Sequence, residues 1–299
     1  MTASTAKNEA QPPPWKEDVA YGEHPLQKLD IFKPDGPGPF PFAMDIHAGG
    51  WQSGDKKYGH GSDNAKRLLD AGVALVFINY RFVEDANKDG LYPPIKGPFY
   101  DTRRALQFTR YHAKEWGLDP KRVALTGESA GCLNALWLAL SPDMAKPTSP
   151  DPVERMSTRV TAVGIGGATT TIDPEQMREW VGPEFPGCGQ IVGLPEFDFD
   201  AFLKKRPELE KYFDTLSPPR LLSKDAPPIY IYYSHDLNKP EKEKDQNFYI
   251  HSPAFGVGFQ KLAREKGVEC HIAWKNHPAE GFNGDMADFN IRHLTQKVT

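Results

Sequence analysis

Along the chain, short apolar runs of strand length alternate with stretches in which apolar residues recur every three or four positions. Leu29-Asp30-Ile31-Phe32, followed by Lys33-Pro34-Asp35-Gly36, reads as an early edge strand closed by a turn. Phe42 to His47 forms a second strand running straight into Gly49 and Gly50, and Ala74 to Tyr80 is a continuous apolar run that suits a strand buried on both faces. Between them Ser62 caps a helix through Ala65, Leu68 and Leu69 that Gly72 stops. The unit repeats: Asp101 precedes a helix whose Ala105, Phe108, His112 and Trp116 share a face, and Gly117-Leu118-Asp119-Pro120 turns into a strand from Arg122 to Thr126. A helix from about Ala130, strands at Thr161–Ile165 and Ile229–Tyr233, a helix from Ser252 to Lys266 and a last strand at Val268–Trp274 complete the pattern.

Alternation of this kind predicts an α/β fold with a mostly parallel, doubly wound sheet. Two stretches fall outside it. Residues 1–14 have the small, polar composition of a disordered lead-in, which leaves 15–299 as one catalytic domain. The aromatic-rich, charged segment from about Thr169 to Arg220 reads as an inserted cap over the strand ends. Its Trp180, Phe185, Phe197, Phe199 and Phe202 either roof a pocket or pack the insert's own core.

Composition narrows the function without choosing it. Lys plus Arg number 36 against 40 Asp plus Glu, which gives no electrostatic footprint for nucleic acid or an anionic membrane. A small-molecule substrate is the expected partner. No apolar run approaches the roughly 20 residues that span a bilayer, and the first dozen residues show no signal peptide. The compartment therefore stays open between synthesis without a leader and prior removal of one. Cys132, Cys188 and Cys270 lack metal-ligand spacing and read as buried free thiols, with a Cys188–Cys270 bridge as the alternative. No histidine pair has metal spacing, so neither metal nor cofactor is expected.

The chemistry concentrates in two motifs. Gly127-Glu128-Ser129-Ala130-Gly131 lies between an apolar strand and an apolar helix, where a sharp turn presents a serine at a helix N-terminus and the flanking glycines avoid collisions. His47-Ala48-Gly49-Gly50-Trp51 follows an earlier strand and supplies backbone amides for an oxyanion, with Gly49 and Gly50 acting beside the amide of Ala130. Trp51 and Tyr80 are expected to line the substrate pocket, with His235 a further substrate contact.

These motifs resemble the HGGGW and GESAG signatures of the hormone-sensitive-lipase-like carboxylesterases and acetylesterases, and Asp101 to Val123 is similar to that family's helix and turn before the elbow. The resemblance runs from about Leu29 to Leu294 apart from the insert. It implies an α/β-hydrolase that cleaves carboxylic esters with small acyl groups through an acyl-enzyme, with the triad in chain order Ser, Asp, His. Ser129 is then the nucleophile. Asp236, after the strand Ile229–Tyr233, is the expected acid, with Asp245 in reserve.

The base departs from the family's pattern, because the Gly281-Phe282 dipeptide is preceded by Glu280 where a histidine is usual. Either Pro278-Ala279-Glu280 is an insertion that leaves His277 as the base, or Glu280 has replaced the histidine and the triad is degenerate. An exposed carboxylate is a poor base for a hydroxyl, which favours His277. His112, His271 and His293 have structural explanations, while His24, His60 and His251 sit in no motif. Two rival functions remain: an amide hydrolase on the same site, and a binding protein that kept the fold after losing its base.

Overall fold

The computed structural model describes residues 13–238 and 244–296, so the expected lead-in lies almost wholly outside the described residues. In chain order the elements are β1 (Lys16–Ala20), β2 (Lys28–Phe32), β3 (Phe40–Ile46), α1 (Asp63–Asp70), β4 (Ala74–Ile78), α2 (Val83–Lys88), α3 (Lys96–Trp116), β5 (Leu118–Gly127) and α4 (Ala130–Leu140). They continue with β6 (Ala162–Gly166), α5 (Pro174–Val181), α6 (Phe199–Leu216), α7 (Pro218–Leu221), β7 (Ile229–Tyr233), α8 (Gln246–Ile250), α9 (Pro253–Glu265), β8 (Cys270–Trp274) and α10 (Met286–Thr295). One sheet contains all eight strands in the order β1-β2-β4-β3-β5-β6-β7-β8. β3 to β8 run parallel, and β1 and β2 are antiparallel additions at one end.

The early strand is therefore not the edge. Lys28–Phe32 pairs with β4 on one side and with β1 on the other, and β1 is the strand that the hydrophobic pattern does not reveal. Its sequence, Lys-Glu-Asp-Val-Ala, is charged because it covers an edge and buries little. α3 starts earlier than expected. Asp101 lies inside it, 1% exposed, and holds the Arg81 guanidinium and backbone amide, so it is a buried ion-pair partner and not a cap. α1 matches its signals, with the Ser62 hydroxyl accepting the Ala65 amide.

Alternation along the strands divides the core between the two faces of the sheet. Phe42, Met44 and Ile46 of β3 join Val76, Leu125 and Val163 in a large cluster with α3, α4 and α9, while Ala43, Leu75, Phe77, Ala124 and Tyr230 pack beneath α1 and α10. All three cysteines are buried and free, so the Cys188–Cys270 bridge is not formed. Burial raises the Cys270 thiol to about 12. Among the described residues no helix is long and apolar enough to cross a membrane.

The topology fixes where chemistry can sit. From β3 the chain crosses to β4 on one side and later returns to β5 on the other, so the connections part between β3 and β5. In open α/β sheets ligands settle in the crevice at the carboxyl ends of two such strands. Here those ends carry His47–Trp51 after β3 and Ser129 after β5.

Candidate active site

Ser129 sits between β5 and α4 with φ 50° and ψ −115°, a conformation that non-glycine residues seldom adopt. Two features hold it. Its amide donates to the Gly166 carbonyl at 3.0 Å, tying the elbow to the end of β6. The two flanking glycines also let the turn pass under β3, since a Cβ on Gly131 would lie 1.9 Å from the Ile46 carbonyl oxygen and one on Gly127 2.5 Å from the same atom. Any larger residue at either position would push β3 and β5 apart.

Ala130 is the first residue of α4, so its amide has no partner within the helix. Among the described residues the amides of Gly49, Gly50 and Ala130 make no hydrogen bond, although the Gly49 carbonyl accepts from both Gln52 and Ser53. The loop that presents these amides is braced from below. His47 is 4% exposed, and its Nδ1 lies 2.6 Å from the Ala48 carbonyl. Burial lowers its pKa, so the ring is neutral and donates from Nδ1. Tyr80 stacks on that ring at 4.3 Å, and its hydroxyl donates to the His47 carbonyl at 2.9 Å. Tyr80 is fully buried and does not line the cavity, so its expected substrate contact gives way to a supporting one. Trp51 does reach the cavity wall, with its indole N–H anchored on Asn134 at 2.8 Å.

The imidazole facing the serine is His251, with Nε2 2.9 Å from Ser129 Oγ. It follows α8 immediately and precedes Ser252, the N-cap of α9, so two helix ends fix its backbone. Its Nδ1 lies 3.1 Å from the Asn247 carbonyl and 2.9 Å from Asn247 Oδ1. A backbone carbonyl only accepts, so Nδ1 carries the proton and Nε2 presents its lone pair to the Ser129 hydroxyl. Burial is the chief influence on the ring and lowers its pKa, which keeps it in the unprotonated state a general base needs.

The expected base lies elsewhere. After β8 the chain reverses in two residues: the Trp274 amide donates to the His277 carbonyl at 3.0 Å and the His277 amide to the Trp274 carbonyl at 2.8 Å, with Asn276 at φ 65°. The segment then runs back beside β8, and the Glu280 carbonyl lies 2.9 Å from His271 Nδ1. His277 is exposed, with its ring against Trp274, and the Glu280 carboxylate pairs with Arg264 at 2.7 Å. A hairpin this tight cannot arch over the sheet edge, so neither His277 nor Glu280 reaches Ser129.

The expected acid also changes. Asp236 follows β7 as anticipated, but its Oδ1 accepts the Asn238 amide in a local turn. Among the described residues the Nδ1 side of His251 is taken by Asn247 and not by Asp236. Asp245, the reserve, accepts the Phe248 amide as the N-cap of α8. His235 is not in the cavity wall; its Nε2 lies 3.1 Å from Asn247 Nδ2.

In front of Ser129 lies a cavity of about 380 Å³, walled by Gly49, Gly50, Trp51, Glu128, Thr169, Cys188, Gln190, Glu196 and Ile250. Four of these come from the expected insert. The insert's aromatics do not: Phe185, Phe199 and Phe202 are buried in its packing, with Phe185 edge-on to Phe255, and Phe197 is exposed. A second cavity of about 190 Å³ lies on the α1 side of the elbow, beside Asp45 and Tyr58, and contains no nucleophile and base pair. Among the described residues no group of three or more His, Cys, Asp or Glu is gathered to hold a metal ion.

Comparison with known proteins assigns the chain to a family. The BD-FAE family model matches residues 29–238, which is well over half of the chain. The chain belongs to the BD-FAE family. That match contains Gly49, Gly50 and Ser129 of this BD-FAE member and ends just before the segment that supplies Asn247 and His251. Among curated relatives, the probable carboxylic ester hydrolase LipM of Mycobacterium tuberculosis is 29% identical over 73% of this chain and 47% of its own length. Gut esterase 1 of Caenorhabditis elegans is 27% identical over 70% and 39%. The chain thus spans about half the length, or less, of these relatives. A truncated carbohydrate esterase from gut microbiota superposes with a TM-score of 0.70 at 18% identity, covering 97% of this chain and 99% of that one. That likeness, and a TM-score of 0.60 with a Thermogutta terrifontis esterase at 20% identity over 89% and 84%, establish the α/β-hydrolase fold.

Proposed function

We propose that this protein is a serine hydrolase of carboxylic esters with small acyl groups, with Ser129 as nucleophile and His251 as base. The observation that carries the reading is the 2.9 Å approach of His251 Nε2 to Ser129 Oγ, with the ring's tautomer fixed from behind. Family membership and the esterase names of the relatives support the same class.

In the first half-reaction Ser129 Oγ attacks the acyl carbon while its proton passes to His251 Nε2. The carbonyl oxygen becomes an oxyanion held by the amides of Gly49, Gly50 and Ala130, and the N-terminus of α4 favours the same charge. Collapse of the tetrahedral intermediate breaks the bond to the alcohol, which leaves with the proton from His251. Water then repeats the sequence on the acyl-enzyme and frees the acid and Ser129. The insert closes one side of the acyl or alcohol pocket through Thr169, Cys188, Gln190 and Glu196. A cavity of about 380 Å³ suits acetyl to butyryl esters better than long chains.

The test is hydrolysis of p-nitrophenyl acetate, butyrate and palmitate, each beside a matched anilide. The account expects a burst of p-nitrophenol with the short esters, none from Ser129→Ala, and covalent capture of Ser129 by a fluorophosphonate. Faster turnover of the anilides than of the esters would move the assignment to amide hydrolysis. Failure of Ser129 to label in the folded protein would sink the nucleophile.

A further inference from the structure

The group behind the base is an amide. Asn247 Oδ1 and the Asn247 carbonyl both face His251 Nδ1, at 2.9 and 3.1 Å, one helical turn upstream in α8. An asparagine side chain could present either its oxygen or its NH2 there, and the proton on His251 Nδ1, already donated toward the backbone carbonyl, selects the oxygen. Asn247 Nδ2 is then turned to His235 Nε2, 3.1 Å away, where the NH2 donates to the ring nitrogen. Ser129, His251, Asn247 and His235 thus form one chain of hydrogen bonds drawn from the elbow, α8 and the end of β7.

We infer that Asn247, together with His235, is the positioning residue of the base, so that this site runs on a Ser-His-Asn arrangement in which, among the described residues, an amide and not a carboxylate stands behind the imidazole. The inference rests on the reading of Ser129 and His251 as nucleophile and base. A carboxylate at this position would do two things: hold the ring, and stabilise the imidazolium by its charge. The amide does the first without the second. Two neutral acceptors fix the tautomer and the plane of the ring. The other described titratable group acting on His251 is His235, which adds no negative charge, and Ser129 and Gly167 face the ring from the elbow and the end of β6. The consequence is a base that stays unprotonated to lower pH and gains less from charge in the transition state.

The experiment is a set of pH–rate profiles for hydrolysis of p-nitrophenyl acetate by the folded full chain, with thermal unfolding recorded for each variant. Asn247 is exposed on a five-residue helix, so its substitution should leave the fold intact. Asn247→Ala should lower kcat about 10- to 100-fold with KM nearly unchanged, as expected when an orienting partner is lost. Asn247→Asp should restore much of kcat and move the acidic limb of kcat/KM upward by about one pH unit, because a carboxylate now favours the charged ring. His235→Leu should fall between wild type and Asn247→Ala. If Asn247→Ala keeps kcat within about twofold, or Asn247→Asp leaves the limb in place, while Ser129→Ala and His251→Ala are inactive, the positioning role is wrong and the active-site reading survives. If Ser129→Ala or His251→Ala turns over like wild type, the active-site reading itself is wrong.

Discussion

Strands β7 and β8 pair in parallel from Ile229 opposite Cys270 to Tyr233 opposite Trp274, so the chain leaves both at the same height on the carboxyl edge of the sheet. After β8 it folds back in a two-residue turn and runs down the outside of the edge strand, where Glu280 meets His271 and Arg264. After β7 it takes a longer course, through α8, before α9 carries it back across the sheet. The end of α8 brings His251 to Ser129, whereas the tight turn after β8 keeps His277 against Trp274. On the proposed reading, which loop supplies the base is a matter of reach. A histidine in a familiar place relative to the last strand is useless if the turn before it is closed by backbone hydrogen bonds.

Several changes would break or sharpen this contrast. Leaving aside Ser129 and His251 themselves, the largest effect is expected at Gly167, which has φ 69° and whose added Cβ would lie 3.4 Å from His251 Cδ2. Gly167→Val puts a branched side chain in a backbone region it resists and crowds the ring, and should cost about 100-fold in kcat, read by steady-state kinetics. Next is the pH profile of the native protein. Burial lowers the His251 pKa, so kcat/KM should hold as pH falls through the ordinary histidine range and drop only below pH 6.5, the usual value for that side chain. A limb at or above that value would point to an exposed histidine such as His277. Asp236→Asn should change kcat by less than about threefold, since the carboxylate serves a local turn. The smallest effect belongs to Glu280→Ala: removing an exposed ion pair with Arg264 should shift Tm by about 1 °C or less and leave turnover alone.

The sequence made the scaffold of the site legible because glycine and apolar patterning speak directly about backbone. Gly127 and Gly131 are required by the approach of Ile46, the continuous run of β4 announces burial on both faces, and Ser62 caps the helix that its hydroxyl promises. Cooperation across distant segments was not legible. β1 is charged and its place at the end of the sheet depends on pairing with β2, which no local pattern reports. Tyr80 looked like a pocket residue at a strand end, but its side chain packs on His47 and bonds its carbonyl. The missed residue is His251. The usable signal was the spacing Asn247-x-x-x-His251 just before the Ser252-Pro253 helix start, which sets both side chains on one face of a helical turn, yet α8 is only five residues long and shows no amphipathic period. The motif-based expectation looked past it to the segment after β8, where the turn geometry forbids the role.

On the proposed reading of His251 as base, the altered Glu280-Gly281-Phe282 no longer argues for a protein that has lost its catalyst. The most direct test is to measure phosphonylation of Ser129 by a fluorophosphonate in His251→Ala and His277→Ala side by side, each checked for native unfolding temperature. The account predicts that His277→Ala labels at the wild-type rate and that His251→Ala is slower by about a thousandfold or more, the loss expected when such a base is removed. Slow labelling of His277→Ala with near-normal labelling of His251→Ala would contradict it.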